Sequence, residues 1–331
     1  MPALAAGGPA PGRWRGFHAR DGRRGAPWRR RSRPGPQAGS PRARGGKRTG
    51  GRAGPSRPEA ALKLVVARLA LAPLLIAQGR RVRRIALRLP EAAGLREGAE
   101  GLPEGGAVRP LRLLLVGDSS AAGVGAPTQD QALAGNLARA LIGPAAFDRV
   151  AWRLEARTGA AAADALAMAQ ALAPWPCDVA VLVVGVNDVT GATPPARWQR
   201  TVDRLIDTLG HRHGARTVVL SGLPPMHRFP LLPQPLRWYL GEQARRLDAV
   251  LVRRAAGDPA LRHLPLPAMD DRSTMHDGSL PAARSPMAAD GFHPSPVGYR
   301  IWAGTLAGEV LRAMPSRSAG SPATAASAST K

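Results

Sequence analysis

Four short clusters hold the residue types that could do chemistry, and each stands where one secondary-structure pattern gives way to another. Gly117, Asp118, Ser119 and Ser120, with Gly123 and Gly125 close behind, follow the apolar run Leu111 to Val116. A serine hydroxyl at the carboxyl end of a buried strand stands where open α/β sheets present groups to ligands. Taken alone, though, Ser and Asp ahead of a helix more often cap it than react. Gly159, in Arg157-Thr158-Gly159, ends a second strand pattern. Glycine there either makes a turn or lets a backbone N–H approach a ligand closely. Gly185, Val186, Asn187 and Asp188 follow the apolar run Val179 to Val184. An Asn at that point can donate to an oxyanion, although turn and cap Asn are commoner. Asp290, Gly291, Phe292 and His293 precede Pro294 and the last helical pattern. A carboxylate and an imidazole three residues apart allow Asp290 to hold the ring while His293 accepts a serine proton.

The elements that must position these residues alternate. Strand patterns at 111–116, 150–156, 179–184, 217–220 and 263–266 are separated by helix patterns at 129–141, 161–172, 196–210 and 236–256, and a last helix opens near Pro296. That alternation predicts an α/β protein, a three-layer α/β/α sandwich on a parallel, flavodoxin-like sheet, with residues 111–315 as its domain. Residues 1–60 are Arg, Gly and Pro in irregular order and are expected to be disordered. Their composition is what GC-rich DNA encodes by chance, so translation is expected to start near Leu62 or Val65, which the mass of the native N-terminal peptide would decide. Residues 61–89 read as an apolar and basic helix, 90–110 as a Gly, Pro and Glu linker, and 316–331 as a disordered Ser and Ala tail. The apolar stretch Leu62 to Ala77, interrupted by Arg68 and Pro73, is too short to span a bilayer comfortably. Three readings of it remain: a helix packed on the domain, an interfacial helix making peripheral membrane contact through 62–89, or an atypical signal.

The formal charge of +24 suggests a nucleic-acid partner until it is located. Residues 1–60 hold +13 of it and residues 110–315 only +4, so no specific nucleic-acid partner is expected. Cys177 is the sole cysteine, which excludes an intramolecular disulfide, and it reads as a small core residue. With no second Cys and no paired His beside a carboxylate, neither a metal nor an organic cofactor is expected. His211 and His213 read as solvated loop residues.

Taken together, GDSS at 117–120, the glycine at 159, GVND at 185–188 and DGFH at 290–293 resemble, in order and spacing, the four blocks of the SGNH (GDSL-type) hydrolase superfamily. Ser221 to Tyr239, SGLPPMHRFPLLPQPLRWY, is similar to the bacterial GDSL-type esterase branch. The resemblance implies a serine esterase with Ser119 as nucleophile, His293 as base and acid, Asp290 orienting it, and an oxyanion hole from Ser119 N–H, Gly159 N–H and the Asn187 side chain. Asp118 and Asp188 are assigned to structure. Ser120 departs from the Leu of the name motif, outside the chemistry. Met226, His227, Phe229, Leu231, Leu232, Trp238 and Tyr239 form either an apolar pocket wall or a cover over the core. The expected partner is a small-molecule or lipid ester, and the expected location is the cytoplasm or a membrane surface, with export by an atypical signal left open. An acyltransferase or a carbohydrate deacetylase would use the same site. A reading of another class is a basic nucleic-acid- or membrane-binding protein on an inactive hydrolase fold.

Overall fold

The computed structural model describes residues 57–104, 109–143, 146–267 and 285–314. The chain runs α1 (Arg57–Ile85), β1 (Glu97–Gly101), β2 (Pro110–Gly117), α2 (Leu133–Ala140), β3 (Arg149–Ala156), α3 (Ala162–Ala171), β4 (Val179–Val183), α4 (Val186–Thr190), α5 (Pro195–His211) and β5 (Thr217–Ser221). A 3-10 turn at Met226–Arg228 then leads to α6 (Leu236–Ala256), β6 (Leu261–Leu264) and α7 (Pro296–Ala313).

Leu113 to Val116 have no exposed surface. A run buried at every residue needs cover on both faces of its sheet, and two helix layers supply it. Alternation along the strands sends Leu114, Val116, Ala180, Leu182, Val218 and Leu220 into a core shared with α3, α5 and α6. Leu113, Leu115, Val181, Val183 and Val219 enter the opposite core, shared with α2 and α7. The strands order as β1-β3-β2-β4-β5-β6. From β2 onward they pair in parallel, in the order of a flavodoxin-like sheet. After β2 the chain crosses to β3 on one side and then to β4 on the other. The crevice at this switch point opens at the carboxyl ends of β2 and β4, which carry Ser119 and Asn187.

The parallel sheet and the 90–110 linker both need correction. Residues 97–101 form β1, an edge strand antiparallel to β3, so the sheet is mixed. Glu97-Gly-Ala-Glu-Gly shows no apolar alternation because most of it faces solvent, and its pairing depends on backbone groups that sequence does not display. Ala92, just upstream, is buried, and Ala93 bridges to Thr128. His213 is a second correction. It has no exposed surface, and its Nε2 lies 2.9 Å from the Ala169 carbonyl while Nδ1 accepts from Trp175 N–H, a latch rather than a solvated residue. Cys177 is a core residue, its thiol pushed up to about 12 by burial.

α1 docks on the domain. Leu75 is buried, with Leu71 and Val82 packed on the same core. The Gln78 side chain donates to the Gln234 carbonyl at 2.7 Å and accepts from Leu236 N–H at 3.2 Å, tying it to the start of α6. No helix among the described residues is long and apolar enough to cross a membrane. The disorder expected of 1–60 and 316–331 falls outside the described residues, apart from 57–60, which lie in α1. Truncating a buried leucine typically costs about 2–5 kcal/mol. Leu75→Ala should therefore raise amide hydrogen exchange across residues 69–85 at least about tenfold and leave β2 and β4 protected. Unchanged exchange in α1 would mean that Leu75 does not hold it.

Candidate active site

β2 ends at Gly117, and Ser119 follows in a tight turn. Asp118 N–H donates to Val183 O on β4, and the Asp118 carboxylate accepts Ser120 N–H at 3.0 Å. The hydroxyl of Ser119 is 2.8 Å from His293 Nε2, and His293 Nδ1 is 2.6 Å from Asp290 Oδ2. The other oxygen of Asp290 accepts the backbone N–H groups of Phe292 and His293 at 2.9 and 3.0 Å. Burial alone would raise the Asp290 carboxyl, but the His293 ring and these two backbone donors hold it below its ordinary value. An ionised Asp290 with its oxygens fixed directs Nδ1–H toward itself and leaves Nε2 facing the serine.

The loops carrying Ser119 and His293 are pressed together. Gly125 has φ +99°, and a Cβ there would lie 2.3 Å from the Pro294 carbonyl, so only glycine lets them approach. Tyr299, fully buried on α7, donates its hydroxyl to Val124 O at 2.7 Å and fastens the Ser119 turn to the helix behind His293.

Gly159 lies just beyond β3, the neighbour of β2 in a register that sets Ala156 beside Gly117. Its φ of +81° is the left-handed conformation glycine adopts without strain, and nothing lies within 4 Å of where a Cβ would be. Among the described residues, neither Ser119 N–H nor Gly159 N–H has an acceptor. Asn187, at the start of α4, donates one amide hydrogen to Ala160 O at 3.0 Å, which binds its side chain to the Gly159 loop. Asp188 accepts Ala162 N–H, at the first residue of α3, at 2.9 Å. The five residues singled out from sequence thus fall on one rim. Three are joined directly, and the other two lie on strand-end loops that the Asn187 amide ties together.

Sequence reasoning missed the brace beneath this rim. Glu91 accepts both Thr158 N–H and the Thr158 hydroxyl at 2.7 Å, and Arg96 bonds Glu91 and the Ala156 carbonyl. Residues from the supposed linker therefore hold the turn that carries Gly159. No signal in the Gly, Pro and Glu composition there could have found them.

A cavity of about 760 Å³ opens at Ser119. Phe229 and Phe292 meet edge to face at 4.9 Å on its wall, and the Phe292 ring lies 5.4 Å from that of His293. Of the stretch from Met226 to Tyr239, His227, Arg228, Phe229, Pro230 and Arg237 line the cavity, whereas Met226, Leu232 and Tyr239 are buried in the core. That stretch is both wall and cover, with one aromatic turned to the site.

Residues 115–301, more than half of the chain, match the family of GDSL-like lipases and acylhydrolases. No curated protein matches the chain. Among solved structures, the inhibitor-bound aryl esterase of M. smegmatis is similar at 18% identity and a TM-score of 0.44, over 62% of this chain and 100% of that one. The lipase/acylhydrolase of Enterococcus faecalis aligns at 20% identity and a TM-score of 0.40, over 63% and 100%. The extracellular lipase of Streptomyces rimosus aligns at 17% and 0.43, over 61% and 99%.

Removing the acceptor that holds Thr158 loosens Gly159, so Glu91→Ala should lower kcat on an ester about tenfold with little change in KM, and Glu91→Gln should keep most of it. A rise in KM alone would refute this. Burial pushes the Asp118 carboxyl up to about 7, against the opposing pull of Ser120 N–H and His293. Since the folded value exceeds the ordinary 3.8, the folded state keeps a proton that the unfolded chain releases, and stability falls as pH rises between these values. Asp118→Asn should gain nothing over the parent near pH 4 and at most about 4 kcal/mol by pH 8 in unfolding experiments. A gain independent of pH would contradict the assignment.

Proposed function

The chain belongs to the GDSL-like lipase/acylhydrolase family, and on that premise we propose that it is a serine esterase that hydrolyses carboxylic esters through an acyl-enzyme on Ser119. The observation that carries this reading is the unbroken relay from Asp290 through His293 to the Ser119 hydroxyl, at 2.6 and 2.8 Å. In the first step Ser119 Oγ attacks the ester carbonyl and its proton passes to His293 Nε2. The C–O bond to the alcohol breaks, and His293 returns the proton to the departing oxygen. In the second step water attacks the acyl-serine, giving its proton to His293, and Ser119 leaves with that proton as the acid is released.

Negative charge builds on the carbonyl oxygen in each step. The N–H groups of Ser119 and Gly159, free among the described residues, and the remaining amide hydrogen of Asn187 are the donors available to it. Asp118 opposes that charge little, because burial pushes its carboxyl up to about 7 and leaves it partly neutral at physiological pH. Phe229, Phe292 and Val186 on the cavity wall favour an acyl chain over a sugar. Transfer to an alcohol would pass through the same acyl-enzyme, and adding a competing alcohol to the assay distinguishes the two outcomes.

The test is hydrolysis of p-nitrophenyl esters from acetyl to palmitoyl by the full chain. Ser119→Ala and His293→Ala should each lose about 10⁴-fold or more in kcat/KM. Asn187→Ala should lose about 100- to 1000-fold in kcat. Turnover that survives Ser119→Ala would refute the acyl-enzyme.

A further inference from the structure

Two buried polar groups in the cavity have no use in this chemistry. Ser221 and Trp302 both line it, each 2% exposed, and neither Ser221 Oγ nor Trp302 Nε1 has a hydrogen-bond partner among the described residues. An unpaired polar group in a protein interior is destabilising, so two beside one cavity call for an explanation. Their side chains share one side of the sheet. Ser221 pairs with Leu264, which lies in the same core as Trp302, and it stands two residues beyond Val219 of that core. Gly222, the next residue, faces the opposite way, toward Asp248.

This arm of the cavity is distinct from the Phe229 and Phe292 wall, which belongs to the other face. The other cavity-lining side chains in or packed on that core, Val183, Leu266 and Met287, are apolar and carry no charge. An indole N–H can only donate, whereas a serine hydroxyl donates or accepts. The group that both can satisfy is therefore an acceptor oxygen. A carboxylate would lie there with no cation among those neighbours, at a large desolvation cost. A plain alkyl chain would leave both groups unpaired.

Register gives the distance. Gly117 pairs with Val183, and Val183 lies one residue past the Leu182–Leu220 pair, beside Ser221. Two strand spacings separate Gly117 from Ser221, roughly 10 Å. An extended chain covers about 3.3–3.6 Å per three bonds, so an acyl chain on Ser119 reaches the arm with about its seventh to ninth carbon. The acyl group stays attached to Ser119 between the two steps, so it is the part of the substrate the arm can select in both.

We propose that the arm formed by Ser221, Trp302, Val183 and Met287 is a specificity subsite for acyl chains that carry an uncharged oxygen, a ketone, hydroxyl or ether, at that distance from the ester carbonyl. The inference rests on the esterase reading for its substrate, and its test separates the two. The kcat/KM of the full chain on p-nitrophenyl decanoate is compared with that on the same ester bearing a ketone at about the seventh, eighth or ninth carbon. One of the ketones should be preferred about tenfold, and the preference should fall to near parity in Ser221→Ala and in Trp302→Phe. Calorimetric binding of the same esters to the Ser119→Ala protein gives a second readout that needs no turnover, and thermal melting checks that each variant is folded. Hydrolysis without any preference, in rate or binding, would overturn the subsite and leave a buried water only in the arm. A preference that persists in both variants would overturn it too. Selective binding without hydrolysis would uphold the subsite and refute the esterase reading.

Discussion

A single hydrogen bond, His293 Nε2 to Ser119 Oγ, joins segments 174 residues apart in the chain, and it tolerates little error because hydrogen-bond strength falls off within a few tenths of an ångström. Neither loop could hold that distance by itself. What holds it is the rigidity of what lies behind each loop. β2 is locked between β3 and β4 with its side chains buried from Leu113 onward, and α7 packs on α2 and on the far strands. The missing side chain of Gly125 and the Tyr299 hydroxyl on Val124 O then fasten one loop to the other. Sheet, helix and loop contacts converge on one separation, which is the sense in which the fold serves the site.

Three carboxylates crowd the same end of the sheet, and the protein tells them apart by what donates to them. Asp290 receives one ring and two backbone donors, which outweigh its burial and keep it ionised. Asp118 and Asp188 are raised by burial, and the donors that reach them do not compensate. On the proposed esterase reading, the charged one faces the imidazole that becomes positive, and the partly neutral Asp118 adjoins Ser119, where a full negative charge would oppose an oxyanion. Separating like groups by environment in this way assigns their roles without any difference in residue type.

Much of this was legible in sequence for identifiable reasons. Runs such as Leu111 to Val116 and Val179 to Val184 lack the alternation of a half-exposed strand, so they announce both burial and the layers needed to cover it. The chemistry-bearing clusters follow those runs, and their order carried the resemblance to a family. β1 was illegible because an exposed edge strand is defined by backbone pairing, to which Glu97, Gly98 and Glu100 contribute no apolar signal. His213 was misread because a polar residue between two elements looks solvated unless its partners are known. The Trp175 N–H and Ala169 carbonyl that bury it lie 38 and 44 residues away. The orphaned groups at Ser221 and Trp302 could not be read at all, since only coordinates show that a polar atom has no partner.

The range matched to the family, residues 115–301, begins after both α1 and the brace of Glu91 and Arg96. The relay lies wholly inside that range, whereas one support of the Gly159 turn lies outside it. A hydrogen bond from Thr158 N–H to a carboxylate fixes where the next peptide points, and the next N–H is the one on Gly159. On the proposed reading that N–H faces the oxyanion, and since the field there depends steeply on donor distance, a side chain that never touches substrate can set the rate through that peptide. Gln129 extends the same logic, its amide donating to the carbonyls of Ala92 and Ala122 and so pinning the segment of Glu91 to the nucleophile loop. The residues ahead of the matched range thus hold the turn that carries Gly159, outside the stretch by which the family is matched.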